Sequence, residues 1–315
     1  MTYKIAFFDT KPYDKTFFDK ANDDYGFDIR YYKGHLNENN VVLTQGADAV
    51  CIFVNDIANA AIINTLVDNG VKLLALRSAG FNNVDLKAAA GKLPIVRVPA
   101  YSPYAVAEYA LALMLSLNRK IHRAYWRTRD GNFSLHGLMG FDMHGKTVGI
   151  IGTGKIARIL IQILKSFGMN ILAYDIYPDA KIAEELHFPY QTRHMINEDS
   201  ISAMKDNVMI INTGRGQLIR TEDLIEGLKN KKIGAAGLDV YEEEGPYFYE
   251  DKSDKIIDDD TLARLLSFNN VIVTSHQGFF TKEALKNIAE TTLKNIQDFA
   301  AGKPLENEIK NESNE

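Results

Sequence analysis

Cysteine is almost absent from this chain of 315 residues, which contains only Cys51. A single cysteine cannot form an internal disulfide, so the sequence excludes a fold held together by disulfides and agrees with a reducing cytoplasm. Cys51 lies inside the apolar run Ala49–Phe53. The run favours a small buried side chain over a reactive thiol.

Long apolar runs and excess positive charge are also lacking. The most apolar stretch, Ala105–Leu117, contains Glu108 and is shorter than the roughly 20 residues that span a bilayer. Met1–Asp9 has no signal-peptide core or cleavage site and predicts a first strand. The net charge of −5 offers no positive field to phosphates. We therefore expect a cytoplasmic protein without nucleic-acid or membrane partners.

Short apolar runs alternate with segments of helical period, a pattern typical of parallel βαβ units. The length allows two domains, each with its own core. The first series predicts strands over Lys4–Asp9, Asp28–Tyr32, Ala49–Phe53, Leu73–Arg77 and Ile95–Val98, followed by a turn at Pro99–Pro103. The second series predicts strands over Val148–Ile151, Ile171–Tyr174, Val208–Ile211, Ala235–Leu238 and Val271–Thr274.

A dinucleotide fingerprint opens the second series. The motif Gly152-Thr153-Gly154-Lys155-Ile156-Ala157 follows a buried strand and begins a helix, and the next strand ends in Asp175. Gly152 permits a tight turn, and Gly154 lets the backbone approach a pyrophosphate. The helix start at Lys155 and Ile156 offers free N–H groups to the phosphates. Asp175 would accept hydrogen bonds from the ribose hydroxyls, which predicts NAD as the cofactor and disfavours NADP.

These patterns predict an α/β protein with two Rossmann-like, doubly wound parallel-sheet domains and a cleft between them. Residues 1–101 with 300–315 should form a flavodoxin-like substrate domain, and residues 102–299 an NAD-binding Rossmann domain. The helix Pro103–Lys120 is apolar on most faces. We expect it to pack at the interface of a homodimer.

Three polar motifs follow three apolar strands of the second series, where ligands bind in open α/β sheets. They supply an arginine (Arg215), a group of carboxylates (Asp239 and Glu242–Glu244) and a histidine (His276). Reduction of a 2-keto acid needs this set. The guanidinium fork holds the substrate carboxylate and polarises the keto oxygen, the histidine donates a proton, and a carboxylate orients the imidazole. The other six histidines, His194 among them, lack such a position.

The order of these motifs resembles the D-isomer-specific 2-hydroxyacid dehydrogenases over essentially the whole chain. The segments Arg127–Leu135, Gly137-Leu138, Gly140–Met143 and Gly145–Thr147 look most like the D-lactate dehydrogenase branch. An intact Glu244 argues against the formate dehydrogenase branch, which carries glutamine there.

The resemblance implies roles for individual residues and no metal. Arg215, Glu244 and His276 match the catalytic residues, and Asp239 matches the acid near the nicotinamide. Further cofactor contacts are implied for Thr192, Thr213 and Gly214. In the substrate site, the backbone amides of Ser78, Ala79 and Gly80 would hold the carboxylate, and Tyr101 and Phe279 would line the pocket.

The implied reaction is the reversible NADH-dependent reduction of pyruvate to D-lactate. One alternative is a dehydrogenase for a bulkier 2-keto acid, although aromatic side chains at Phe53 and Phe279 favour a small substrate. A second alternative is a non-catalytic, NAD(H)-sensing corepressor. That alternative predicts long disordered extensions, which the chain lacks, and does not explain the complete acid–base set.

One departure from the family lies after Tyr190, where relatives carry roughly twenty more residues. In them this stretch supplies the strand beside the first Rossmann strand. Either the chain lacks that strand, or residues of the molecule are missing from the sequence between Tyr190 and Gln191; the second interpretation is favoured. In a sheet of this family Val208–Ile211 should lie too far from Val148–Ile151 to pair with it. Direct pairing of the two strands, with Tyr190 and Gln191 bonded, would instead mean that the deletion is real and that the sheet has closed over it. Missing residues would also leave Tyr190 and Gln191 without a shared peptide bond.

Overall fold

The computed structural model describes residues 2–175 and 193–310. The chain divides into two compact units, Met1–Ser102 with Phe280–Glu315 and Pro103–Phe279. The strands are β1 Lys4–Phe7, β2 Asp28–Tyr31, β3 Ala49–Ile52, β4 Leu73–Leu76, β5 Ile95–Val96, β6 Thr147–Ile151, β7 Asn170–Tyr174, β8 Val208–Asn212, β9 Ile233–Leu238 and β10 Val271–Val273. The helices are α1 Pro12–Asn22, α2 Ala60–Asp68, α3 Leu86–Ala89, α4 Pro103–Arg119, α5 Ile121–Arg129, α6 Lys155–Ser166, α7 Glu198–Ala203, α8 Thr221–Lys229, α9 Asp260–Leu266 and α10 Lys282–Ala300.

The first unit contains a five-stranded parallel sheet in the order β2-β1-β3-β4-β5. All four residues of β3 and of β4 are buried, as expected for central strands covered on both faces. This strand order is the flavodoxin-like doubly wound arrangement, whose ligand crevice lies beyond the carboxyl ends of the strands. The predicted fold class is confirmed.

Helix α10 belongs to the first unit, whereas the sequence pattern placed residues 282–299 with the second domain. It packs against α1 and β4. The amide of Asn295 donates to the carbonyl of Arg97 at 2.9 Å. Beyond the helix, Ile309 N donates to Ile95 O at 2.8 Å, which pairs the tail with β5. These contacts join residues that are far apart in the sequence, so the order of the elements does not predict them. They set the boundary between residues 279 and 280.

The second unit holds its parallel strands in two separate groups, β6-β7 and β10-β9-β8. Within the described ranges, β8 pairs with β9 and not with β6. The expected lack of pairing between Val208–Ile211 and Val148–Ile151 is therefore confirmed. The test of the bond between Tyr190 and Gln191 falls outside the described residues.

Helix α4 is largely a core element of the second unit. Its buried residues include Ala107, Ala110, Leu113 and Leu117, and it contacts α6, β8, β9 and β10. Its apolar character is therefore satisfied in large part within the unit. No helix among residues 2–175 and 193–310 is both long and apolar enough to cross a membrane.

Candidate active site

A glycine-rich turn connects β6 to α6. Gly152 has a φ of +89°, a conformation that favours glycine over residues with a side chain. Gly154 is the N-cap of α6 and has an ordinary φ of −65°. A Cβ at Gly154 would meet no atom within 4 Å. The chain's own packing therefore does not require glycine at position 154. Close approach of a phosphate to the helix N-terminus would require it.

Asp175 follows β7, and its side chain is hydrogen-bonded to this turn. One of its oxygens, Oδ2, accepts from the amide of Thr153 at 2.5 Å and from the Thr153 hydroxyl at 2.7 Å. Arg158 of α6 donates to the carbonyl of Thr153 at 2.8 Å. The acid thus fixes the glycine-rich turn. Lys155 and Ile156 begin α6 as predicted; Thr192 lies outside the described residues.

The order β10-β9-β8 places three carboxyl strand ends side by side. Thr213–Arg215 follow β8, Asp239 follows β9, and the turn containing His276 follows β10. The sequence predicted that these segments would lie at one edge, and the strand order bears this out. A reaction centre on this edge can draw one functional group from each strand.

His276 and Glu244 form a close pair. Nδ1 of His276 lies 2.8 Å from Oε1 of Glu244, and each side chain retains about a fifth to a quarter of its exposure, 21% and 24%. The second oxygen of Glu244 accepts from the amide of Tyr241 at 3.0 Å. The carboxylate thereby fixes the ring orientation and leaves Nε2 as the nitrogen for proton transfer.

Asp239 is 1% exposed and anchors the histidine turn. Its carboxylate accepts from the Thr274 hydroxyl at 2.7 Å and from the amides of Gln277 and Gly278 at 2.9 and 2.8 Å. His276 itself has a φ of +52°, a strained value for a residue with a side chain. The contacts of Asp239 hold this strained turn in place.

The loop of Arg215 is fixed from two sides. The Asn212 side chain donates to the Arg215 carbonyl at 2.9 Å and accepts from Gly214 N at 3.1 Å. A Cβ at Gly216 would lie 2.1 Å from the carbonyl oxygen of Tyr241, so the loop packs directly on the backbone that leads to Glu244. The Arg215 guanidinium is exposed and donates to the Gly214 carbonyl at 2.8 Å. It is therefore available to a substrate.

The predicted substrate residues of the first unit follow adjacent strands of its sheet. Ser78 comes shortly after β4 and donates its hydroxyl to the Gly80 carbonyl at 2.8 Å. Val98 N donates to the Ser78 carbonyl at 3.1 Å, which ties this loop to the segment after β5. The carbonyl of Tyr101 accepts from Asn287 of α10 at 2.6 Å. In the second unit, Phe279 is buried and its ring lies 6.4 Å from that of Tyr249.

Three contributors escaped the sequence analysis. The sequence patterns single out neither Asn212 nor Tyr249. His194 was set aside, yet its Nε2 lies 2.7 Å from Oε1 of Glu242. Asn212 had a usable signal, since it is a polar residue at a buried strand end. The other two depend on loop conformations that no periodicity encodes.

The glycine-rich turn after β6, the acid after β7 and the histidine–glutamate pair beside the β10-β9-β8 edge are the features of an oxidoreductase that uses a dinucleotide cofactor. Residues 5–310 match the model of the D-isomer specific 2-hydroxyacid dehydrogenase catalytic domain. The chain is 47% identical to the D-lactate dehydrogenase of Escherichia coli over 327 residues, which cover 97% of this chain and 99% of that protein.

Two solved structures are similar across the whole fold. The pyruvate reductase of Chlamydomonas reinhardtii has a TM-score of 0.89 and 40% identity, covering 97% of this chain and 98% of that one. The NAD-complexed D-isomer specific 2-hydroxyacid dehydrogenase of Lactobacillus delbrueckii ssp. bulgaricus has a TM-score of 0.80 and 26% identity, covering 98% and 100%. This chain belongs to the D-isomer specific 2-hydroxyacid dehydrogenase family.

The alignment with the Escherichia coli protein also bears on the departure after Tyr190. It spans 327 residues, which exceeds the 315 residues of the whole chain. Since 97% of this chain is about 306 residues, about 21 aligned positions of the relative have no counterpart here. This number agrees with the roughly twenty residues that the resemblance showed to be absent.

Proposed function

We propose that this protein is a D-lactate dehydrogenase that reduces pyruvate to D-lactate with NADH. The observation that carries the proposal is the 2.8 Å contact between His276 and Glu244 on the edge shared with Arg215. The Escherichia coli relative is a D-lactate dehydrogenase and the Chlamydomonas relative is a pyruvate reductase, which supports pyruvate as the substrate. NADH, when bound, supplies the hydride. All remaining steps fall to the chain's own side chains.

His276 is the proton donor in this proposal. Its Nε2–H donates to the keto oxygen of pyruvate and transfers the proton as that oxygen becomes a hydroxyl. Glu244, at Nδ1, stabilises the protonated ring before the transfer and keeps Nε2 directed at the substrate. In lactate oxidation the same nitrogen accepts the proton.

Arg215 binds the carboxylate of pyruvate and polarises its keto group. A guanidinium fork suits a planar carboxylate better than an ammonium does. We keep Ser78, Ala79, Gly80, Tyr101 and Phe279 as predicted substrate residues. Thr213, Gly214 and Asp239 are assigned to the nicotinamide side of the cofactor.

Cofactor choice follows from Asp175. Its carboxylate can accept hydrogen bonds from both ribose hydroxyls of NADH and would repel the 2′-phosphate of NADPH. The residue after it is Ile176, so no arginine immediately follows to neutralise that phosphate. The NAD-complexed relative agrees with this assignment.

A steady-state panel tests the proposal. Pyruvate, 2-ketoisocaproate and phenylpyruvate are each offered with NADH and with NADPH, and the product is resolved into D and L isomers. We expect the highest kcat/KM for pyruvate with NADH, and D-lactate as the product. Arg215→Lys should lose most of this activity because the fork is lost. Equal rates with phenylpyruvate, or L-lactate as product, would contradict the proposal.

We also propose a cytoplasmic homodimer. In support of a dimer, α5 and the loop after it expose large apolar side chains; Trp126 is 64% exposed, Leu135 83% and Met139 87%. Single exposed apolar residues need no explanation, whereas several along one segment are typical of a surface that another protein covers. Light scattering at micromolar concentration should give twice the chain mass, and Leu135→Lys with Met139→Lys should give the monomer. Cys51, which is fully buried, agrees with a reducing compartment, and cell fractionation tests that assignment.

A further inference from the structure

Tyr249 contacts His276 at two points, and the reaction proposed above does not use it. Its hydroxyl donates to the backbone carbonyl of His276 at 3.1 Å. Its ring lies against the imidazole, with 6.1 Å between the centroids and 29° between the planes. A tyrosine that bonds the main chain and covers the ring of the same histidine restricts both.

The segment that begins at Glu244 delivers Tyr249 to this place. The Glu244 carbonyl accepts from the amides of Tyr247 and Phe248 at 3.0 and 2.9 Å, which closes a tight turn. Phe248 is 5% exposed and lies in the core of the second unit. Tyr249 then has a φ of +67°, in the left-handed region. One short segment therefore supplies Glu244 to the edge of the imidazole and Tyr249 to its face.

The backbone of His276 needs such support. Its φ of +52° lies in a sparsely populated region, and residues held there persist when their surroundings over-determine them. The His276 amide donates to the Asp239 carbonyl at 2.8 Å, which fixes one side of the residue. The Tyr249 hydroxyl fixes the other side through the His276 carbonyl. Nδ1 is held by Glu244, so backbone and ring are both constrained around Nε2.

We propose that Tyr249 is a positioning residue for the proton transfer: its hydroxyl and ring hold His276 so that Nε2 meets the keto oxygen. This inference rests on the proposed function. Tyr249 does not touch the reacting atoms in this proposal and exchanges no proton with the substrate. Its ring also packs against Phe279, which links the histidine turn to the assigned substrate pocket.

The test separates the hydroxyl from the ring. Tyr249→Phe removes only the hydrogen bond and should lower kcat about three- to tenfold, the range for one net hydrogen bond. Tyr249→Leu removes the ring as well and should lower kcat further. The KM for NADH should stay unchanged in both variants, because neither touches the Gly152–Gly154 turn. Tyr247→Phe, two residues away in the same segment, is the matched control and should keep the normal kcat.

Two readouts distinguish positioning from simple structural support. The pH profile of kcat/KM should move in Tyr249→Phe, since the donor meets the substrate in an altered geometry. The His276 imidazole signal in an NMR spectrum, assigned by its loss in His276→Asn, should shift in both Tyr249 variants and not in Tyr247→Phe. These shifts need no turnover.

A Tyr249→Phe enzyme with normal kcat, an unmoved pH profile and an unshifted imidazole signal would overturn the inference. So would variants that lose thermal stability while each folded site keeps normal turnover. Failure of the proposed function would look different, because the unmodified protein itself would then reduce none of the 2-keto acids, whatever the imidazole signal shows.

Discussion

Glu242 lies two residues before Glu244 and pairs with a different histidine, since its Oε1 is 2.7 Å from Nε2 of His194. Its other oxygen accepts from the Thr221 amide at 2.8 Å and from the Thr221 hydroxyl at 2.5 Å. Burial alone would raise the pKa of the Glu242 carboxyl, but the Thr221 and His194 contacts lower it below its usual value. Both oxygens are therefore committed to the start of α8 and to His194, which makes this pair structural.

The two histidine–glutamate pairs provide a matched comparison. His276→Ala should lower kcat by on the order of 10²- to 10⁴-fold, the usual contribution of a positioned acid–base group. His194→Ala removes a pair of nearly equal length and should keep kcat within about threefold while lowering stability by on the order of 1 kcal/mol. Steady-state kinetics and thermal melting of both variants check this. A large kcat loss in His194→Ala alone would place the proton donor at the other pair.

Asp175 controls the choice between NADH and NADPH. Asp175→Ala should raise the KM for NADH and bring the kcat/KM ratio of NADH to NADPH toward one, because the repulsion of a 2′-phosphate disappears. Asp175 also holds Thr153, so part of the KM effect comes from a loosened turn. Thr153→Ala removes one of those bonds and keeps the charge. We expect it to weaken NADH binding slightly and to leave the selectivity ratio unchanged; an unchanged ratio in Asp175→Ala would refute the assignment.

Asp56 should make the first unit less stable as the pH rises from about 4 to 6. It is 1% exposed, and its two oxygens accept from the amides of Leu36 and Phe53 at 2.6 and 2.5 Å. Burial raises its pKa to about 6, against the lowering effect of Arg77. Between the ordinary value of 3.8 and 6, the folded state binds the proton more tightly than the unfolded chain. The stability that this proton contributes is fully present below pH 3.8, and it is lost as the pH rises through about 6.

Asp56→Asn isolates this effect. The variant should be less stable throughout, because an amide nitrogen cannot accept from a backbone N–H. The difference in the free energy of unfolding between the variant and the unmodified protein should become smaller between pH 4 and pH 7, by at most about 3 kcal/mol. Urea unfolding across that range measures the difference and cancels the carboxyls common to both proteins. A deficit that widens with pH would show that Asp56 is stabilised as the carboxylate.

The sequence predicted all ten strands described here, because most of them coincide with an apolar run between turn residues. It also predicted that Arg215, Asp239 and His276 lie at one edge of the sheet, since polar residues after buried strands are conspicuous. The pairing of His276 with Glu244 was available only through the family resemblance. Glu244 is separated from the end of β9 by a loop, and hydrophobic periodicity does not predict the conformation of a loop.

Buried charges were the least predictable feature. Arg77 is 2% exposed, lies over the rings of Phe7 and Phe53, and donates to the Asp9 carbonyl at 2.7 Å. In the sequence Arg77 reads as the end of a strand, where an arginine is usually solvated. Its burial depends on Asp9 and Asp14, which are more than sixty residues away. The placement of α10 was missed for the same reason, because its partners lie near the other end of the chain.

The unpaired edges of β6 and β8 lead to a prediction about NADH affinity. Within the described ranges β6 pairs only with β7 and β8 only with β9, so among these residues neither strand has a partner on its second side. Ile151 at the end of β6 is 51% exposed. A strand between β6 and β8 would satisfy these groups and cover apolar surface beside the Gly152–Gly154 turn. On the interpretation that the chain lacks this strand, we expect weaker folding and weaker cofactor binding.

Restoring the strand should therefore improve both properties. A chimaera carries, between Tyr190 and Gln191, the additional segment of about twenty residues that the family resemblance predicts there, taken from the Escherichia coli relative. Its melting temperature should rise by on the order of 5–10 °C, the equivalent of a few kcal/mol in a domain of this size. NADH should also bind at least tenfold more tightly in a fluorescence titration, because the nucleotide gains a wall of its site. A Gly/Ser insert of equal length is the control and should give neither gain, since it cannot form a paired apolar strand. Equal NADH affinity in the unmodified chain and the chimaera would mean that the separated strands already form a complete cofactor site.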